Sequence, residues 1–182
     1  MTGRFIAVVG PSGVGKDSVM HAMAASEARL TLARRVITRA VDAGGEAFDE
    51  VSVTEFLRRK EGGAFSLNWD AHGLYYAIPA SVEEKLNEGS DVLANLSRTA
   101  LLSAKERFPF FAVINLTAQR NILAKRLKAR GRETEAQIAA RLDRTTAGLP
   151  QGIEARHFDN SGPLEQTVLA TLQYLYPDRA AQ

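Results

Sequence analysis

The chain contains no cysteine among its 182 residues. Disulfides and thiolate metal sites are therefore excluded, and the absence fits a reducing compartment. No apolar run approaches the ~20 residues of a membrane span. The expected first strand begins within the first few residues, which leaves no room for a secretory leader. No membrane partner is expected, and cytoplasm is the expected compartment. A dominant charge is also missing. The 23 Lys and Arg residues nearly balance the 21 Asp and Glu residues, leaving +2. That balance gives no general case for nucleic-acid binding. No Ser-His-Asp pattern is present, and His21, His72 and His157 read as structural. There is no internal repeat and no low-complexity tract.

What remains is ordinary for a globular protein, with 45% hydrophobic and 24% charged residues. The length suffices for one sizeable core, so one domain with subdomains is expected. The most informative stretch is Gly10-Pro11-Ser12-Gly13-Val14-Gly15-Lys16-Asp17. The apolar run Phe5-Ile6-Ala7-Val8-Val9 leads into it. A helical pattern with Val19, Met20 and Met23 on one side follows. Strand, glycine-rich loop and helix in this order form a phosphate cradle. Glycines let the backbone close around an anion, and the helix adds its positive end. Lys16 adds a full charge at the β- and γ-phosphates of a nucleoside triphosphate. Gly10 to Ser18 are thus the expected binding segment for a nucleoside triphosphate. Asp17 departs from the usual Ser or Thr. A carboxylate there suits Mg2+ as a hard-oxygen ligand, directly or through water, or it caps the helix.

Further along, helix and strand patterns alternate. A helix is expected from Gly15 to Ala28, with Leu30–Leu32 as a connection. Arg35–Arg39 reads as a strand and Ala40–Glu46 as a loop. Ser52-Val53-Thr54-Glu55 fits a capping box for the next helix. Ala64–Trp69 and Leu74–Ile78 flank a turn and read as a hairpin. A second capping box, Ser81-Val82-Glu83-Glu84, opens a helix that stops at Gly89. Asp91–Leu96, Phe110–Leu116 and Ala155–Asp159 read as strands. Thr117 is placed to cap a basic helix containing Arg120, Lys125, Arg126, Lys128 and Arg130. Glu133–Ala147 reads as a helix with Ile138 and Leu142 inward. Gly162-Pro163 opens the last one. This alternation predicts a parallel α/β sheet covered on both faces. Ligands then sit at the carboxyl ends of the strands, where the Gly10 loop, Arg39 and the Asn95–Arg98 segment are expected.

The loop, Thr38-Arg39, Phe56, Gly73-Leu74-Tyr75-Tyr76, and Arg126-Leu127 to Arg141-Leu142 follow the order of guanylate kinases, which the chain resembles over nearly its whole length. A specialised relative is closer. Gly15-Lys16-Asp17-Ser18, Ile37-Thr38-Arg39, Gly73-Leu74-Tyr75-Tyr76, Arg130-Gly131-Arg132-Glu133 and Ala140-Arg141-Leu142 resemble the ribose 1,5-bisphosphate phosphokinases of bacterial phosphonate degradation. The resemblance implies a P-loop kinase with a five-stranded parallel sheet. It implies a core of residues 1–34, 83–128 and 142–182, a small mixed substrate-binding insert at 35–82, and a helical lid at 129–141. It also implies γ-phosphoryl transfer from ATP to the 1-phosphate of ribose 1,5-bisphosphate, giving 5-phosphoribosyl 1-diphosphate and ADP. Asp42 stands where guanylate kinases usually carry a second arginine, which argues against a nucleotide acceptor.

Phosphoryl transfer rests on positioning and charge. A phosphate acceptor is largely ionised at neutral pH, so no general base is required. Cations are required instead. Lys16 is the first, and Arg39, at a strand end, is the expected clamp on the acceptor phosphate. In related kinases, arginines in the region of Arg126, Arg130 and Arg141 close over the transferring group. Tyr76 matches the substrate-binding tyrosine of that pattern. Asn95 and Arg98 are placed by position beside the acceptor sugar. Asn160-Ser161-Gly162 resembles the adenine-contact loop, where mainly backbone groups are used. Trp69 reads as structural, and Tyr75 as packing. A guanylate or other nucleoside-monophosphate kinase, and a non-enzymatic binding module, are the alternative readings. A monomer or homodimer is expected.

Overall fold

The computed structural model describes residues 1–39, 47–129, 131, 134–143 and 148–178. Strand β1, Phe5–Val9, has all five residues at 0% exposure. Its run of apolar side chains is what a central strand buried on both faces requires. Around it lie β2 (Leu30–Leu32), β7 (Asp91–Asn95), β8 (Phe111–Thr117) and β9 (Arg156–Asp159), in the order β2-β7-β1-β8-β9. All neighbours in this sheet run parallel.

Helices cover both faces, as parallel crossovers demand. On one side, Ile6 and Val8 meet α1 (Lys16–Ser26), α5 (Arg120–Ala129), α6 (Glu135–Asp143) and α7 (Leu164–Leu175). On the other, Phe5, Ala7 and Val9 meet α3 (Ser81–Asn87) and α4 (Leu101–Arg107). The period-2 alternation of β1 thus divides one strand between two cores.

A second, mixed sheet stands beside the first. It contains β3 (Val36–Ile37), β4 (Asp49–Glu50), β5 (Phe65–Ala71) and β6 (Leu74–Pro79), in the order β4-β3-β6-β5. Helix α2, Val53–Glu61, packs Phe56 against Val36, Val51 and Ala77, forming a small core of its own. The other face of the β5–β6 hairpin sends Leu67 and Ile78 into the main core. A register shift between Phe65 and Leu67 makes this division possible. It turns Phe65 toward Phe56, while Leu67 and Trp69 face the main body. The hairpin closes through His72 and Gly73, with φ of 55° and 74°. Two consecutive positive φ angles are the primed-turn geometry that a two-residue loop prefers.

Four expectations are corrected. Leu30–Leu32 is an edge strand of the main sheet, since Leu30 pairs with Asp91 and Leu32 with Leu93. Three residues are too few to carry a periodic signal. Arg39 follows β3, so it comes from the mixed sheet and not from a carboxyl end of the main one. Ser81 is already helical and makes no cap bond, because the helix starts one residue early and the N-cap position falls on Ala80, which has no side-chain acceptor. Thr117 ends β8, three residues before α5, and its hydroxyl donates to the Phe158 carbonyl. The first capping box does form its hydroxyl half, with Ser52 Oγ accepting from the Glu55 amide at 3.1 Å. Glu55 itself turns to Arg58 and Arg59, which hold its carboxyl at about 2.

The amino end of the sheet is tied by one polar cluster. Asp91 accepts from the Arg4 amide at 2.6 Å, from Arg4 Nε at 3.0 Å and Nη2 at 2.6 Å, and from the Tyr176 hydroxyl at 2.6 Å. Burial opposes ionisation of Asp91, but the Arg4 and Tyr176 hydrogen bonds outweigh it and hold the carboxyl below its ordinary range. The same burial and the bond to Asp91 push the Tyr176 phenol up. A carboxyl with a lowered folded pKa stabilises the fold above its unfolded pKa, and this support is lost as pH falls through the folded value. Asp91→Asn should therefore lower stability at pH 7 by about 2–3 kcal/mol. That is less than for a fully buried pair, because the Arg4 side chain is 35% exposed. The difference from the unchanged protein should shrink below pH 4 in urea titrations followed by circular dichroism. An equal difference at pH 7 and pH 3 would contradict this account.

Candidate active site

β1 delivers the chain into the loop that begins at Gly10. A Cβ on Gly10 would lie 2.5 Å from the Leu116 carbonyl oxygen of β8, so only glycine lets the chain leave the sheet there. Gly15, with φ of 93°, caps α1 without any side-chain bond. A Cβ at Gly15 would meet Asn160 Nδ2 at 2.8 Å. Between them Val14 is fully buried and pins the loop to the core. The amides of the first turn of α1 therefore have no capping side chain and suit an anion.

Lys16 Nζ donates to the carbonyls of Gly10 at 3.0 Å and Pro11 at 3.3 Å, which hold the ammonium over the loop. Arg126, on α5, donates to the Val14 carbonyl at 3.3 Å. Gly13, Gly15, Ser18, Arg126, Asn160 and Leu164 line a cavity of about 350 Å³. That volume is within the range of small-ligand sites. Asn160 is 3% exposed, and its Nδ2 donates to the same Val14 carbonyl at 2.7 Å. Its amide donates to Thr117 at 2.7 Å. The expectation for this residue centred on backbone groups. The side chain has a further part, since it fixes the loop to β9.

Asp17 lies in the first turn of α1, and its Oδ1 accepts from Asn95 Nδ2 at 3.1 Å. This bond joins the cradle to the carboxyl end of β7. Arg98 follows in a 3-10 turn, Arg98–Ala100, against which β5 packs. Tyr76 is half-buried, opposite Trp69 across the hairpin. The two rings stack at 5.4 Å with planes 9° apart, and the Arg35 guanidinium lies 5.5 Å from the Tyr76 ring centroid. Arg39 is half-buried, with its guanidinium 4.8 Å from the centre of Phe48. Tyr75 packs on Phe56 at 5.5 Å, as expected. Arg141 is exposed on α6, whose inner face buries Ile138 and Leu142. Arg130, Arg132, Asp42 and Gly44-Gly45 lie outside the described residues.

The structure thus brings Lys16, Asp17, Ser18, Arg126 and Asn160 to the cradle. Asn95 joins them through Asp17. Tyr76 and Arg39 sit on the mixed sheet. Sequence reasoning passed over Arg34 and Arg35. Arg34 lines a smaller cavity of about 120 Å³ with Asp17, Met20, His21, Leu32, Ala33 and Ala47. The only signal for the pair was a basic doublet at the start of a strand. Among the described residues no helix is long and apolar enough to cross a membrane. No group of three or more acidic or histidine side chains there is arranged to hold a metal.

No model of a known protein family matches the chain. Individual relatives do. The ribose 1,5-bisphosphate phosphokinase PhnN of a Ruegeria species is 49% identical over 180 residues, covering 98% of this chain and 94% of that protein. The enzyme of the same name from Pseudomonas paraeruginosa is 44% identical, over 99% of both chains. That from Agrobacterium fabrum is 42% identical, over 92% and 95%. Among solved structures, guanylate kinase from Anaplasma phagocytophilum superposes with a TM-score of 0.70 at 17% identity, covering 97% of this chain and 86% of that one. A gluconokinase from Sinorhizobium meliloti gives 0.55 at 22% identity, over 100% and 98%. These structural likenesses establish a P-loop kinase fold. The full-length sequence identities go further: this chain is an ATP-using kinase and belongs to the ribose 1,5-bisphosphate phosphokinase family.

Proposed function

We propose that this chain transfers the γ-phosphoryl group of ATP to the 1-phosphate of ribose 1,5-bisphosphate, releasing 5-phosphoribosyl 1-diphosphate and ADP. The observation that carries this reading is the phosphate cradle, tied by the Asp17–Asn95 bond to the carboxyl end of β7, with the mixed sheet that carries Arg39 and Tyr76 standing beside the main one. The names of the full-length relatives support the choice of acceptor. Phosphonate breakdown in the cytoplasm is the proposed setting. The mixed sheet of the 35–82 segment is the proposed acceptor-binding part, and 129–141 the proposed lid.

An oxygen of the acceptor 1-phosphate attacks the γ-phosphorus while the bond to the β–γ bridging oxygen breaks. The nucleophile is already ionised, so the protein supplies alignment and positive charge. Lys16 leaves the Gly10 and Pro11 carbonyls for the β- and γ-phosphates. Arg126 stands at the same cavity, with Arg130 and Arg141 proposed to close over the transferring group. Arg39 clamps the acceptor phosphate, and Tyr76, Asn95 and Arg98 shape the sugar site. Asp17 fits a share in Mg2+. Asn95 occupies one of its acceptor positions, and a carboxylate has several. Asp17 would be the residue that holds the ion, directly or through water. When bound, magnesium neutralises charge on those phosphates.

Lys16→Ala should lower kcat about 10²–10³-fold, the scale of a lost charge-stabilising donor, with a melting midpoint close to that of the unchanged protein. Near-normal turnover by the folded variant would remove Lys16 from the catalytic role. In a coupled ADP-release assay with ATP and magnesium, kcat/KM for ribose 1,5-bisphosphate should exceed that for GMP by about a hundredfold or more. Equal values, or a preference for GMP, would return the chain to the nucleotide kinases.

A further inference from the structure

Trp69 Nε1 and Arg98 Nε are buried donors with no hydrogen-bond acceptor among the described residues. They belong to one corner. Trp69 packs on the cluster containing Leu96 and Ala100, and Arg98 lies between those two residues. β5, which carries Trp69, packs on the Arg98–Ala100 turn. The corner continues through Asn95 to Asp17 and the cradle. Leaving a buried donor unpaired is costly, so a pair of them beside a ligand site calls for an acceptor brought by the ligand.

The chemistry of the donors selects that acceptor. Indole Nε1 and guanidinium nitrogens donate and never accept. A sugar hydroxyl placed between them would keep its own proton without a partner. A phosphate oxygen accepts only, and it also takes the charge of Arg98. The Arg35 guanidinium on the Tyr76 ring adds a second cation along the same aromatic wall.

We infer that Trp69 and Arg98 form the site for the non-reacting phosphate of the acceptor, so that the enzyme selects a sugar bisphosphate over a sugar monophosphate. This inference rests on the proposed reaction. Trp69 then serves as a substrate-binding residue as well as a wedge in the core.

Trp69 is the single tryptophan of the chain, so its emission reports on this corner directly. Ribose 1,5-bisphosphate titrated into the full chain without nucleotide should change the emission saturably. Ribose 1-phosphate should require a concentration about tenfold higher or more. Trp69→Phe keeps an aromatic ring against Tyr76 and deletes the N–H. It should raise KM for ribose 1,5-bisphosphate about tenfold, change kcat by less than about twofold, and shrink the preference over ribose 1-phosphate by the same tenfold. Arg98→Met should shrink that preference too, and it decides the matter if Trp69→Phe does not fold. The same concentration dependence of emission for both sugars, or an unchanged preference in the folded variants, would overturn the assignment and leave the proposed reaction standing. No turnover of ribose 1,5-bisphosphate by the unchanged chain would overturn the reaction and the assignment with it.

Discussion

The structure depends on the complete burial of β1. Five consecutive residues, Phe5 to Val9, lie at 0% exposure between two parallel neighbours. Their side chains alternate between the two cores, so any slip in register would misplace both faces at once. The strand then ends against the Leu116 carbonyl, at a point where no side chain fits on Gly10. Burial therefore decides where the chain must turn, and the turn decides where an anion is held. Buried Val14 and the Asn160–Val14 bond keep the loop in that shape from below and from the side.

The two halves of the site are coupled by unequal devices. Packing joins the mixed sheet to the main body through Leu67, Ile78 and Trp69 on one face of the hairpin. The hairpin's other face serves a small core around Phe56. A single register irregularity, between Phe65 and Leu67, lets one strand serve both. The cradle meets the β7 end through a hydrogen bond, Asn95 to Asp17. The α5–α6 pair is joined near the surface by Arg120–Asp143 and Lys128–Glu135, whose exposed ions contribute little to stability. Buried contacts thus hold the floor of the site, and weakly held ion pairs join the helices beside it.

Polar groups inside the protein fall into two sorts. The Arg4–Asp91–Tyr176 cluster is satisfied within the fold and stabilises the end of the sheet away from the cradle. Trp69 Nε1 and Arg98 Nε are not satisfied by the described residues and lie toward the site. The first sort belongs to folding, and the second is the one we propose for binding. Burial alone does not separate them, since only their partners do.

The sequence by itself determined the cradle, the alternation of strands and helices, and the hairpin. Each rests on neighbours along the chain: a glycine spacing with a lysine, a period of two or of three to four, a two-residue turn at His72-Gly73. The inward positions of Ile138, Leu142, Val168 and Leu172 were legible for the same reason. Tertiary structure decided the rest. Leu30–Leu32 is a strand only because β7 offers it an edge. Ser81 caps nothing because the helix starts one residue early, at the Ala80 cap position, while Glu83 beside it is taken by Ser66 and Arg107 from distant elements. Asn160 became a prop for Val14, and Trp69 came to share a corner with Arg98, through contacts between elements distant in sequence. Local patterns encode backbone periods and turns. Which side chain a buried donor meets is decided only when the sheets pack.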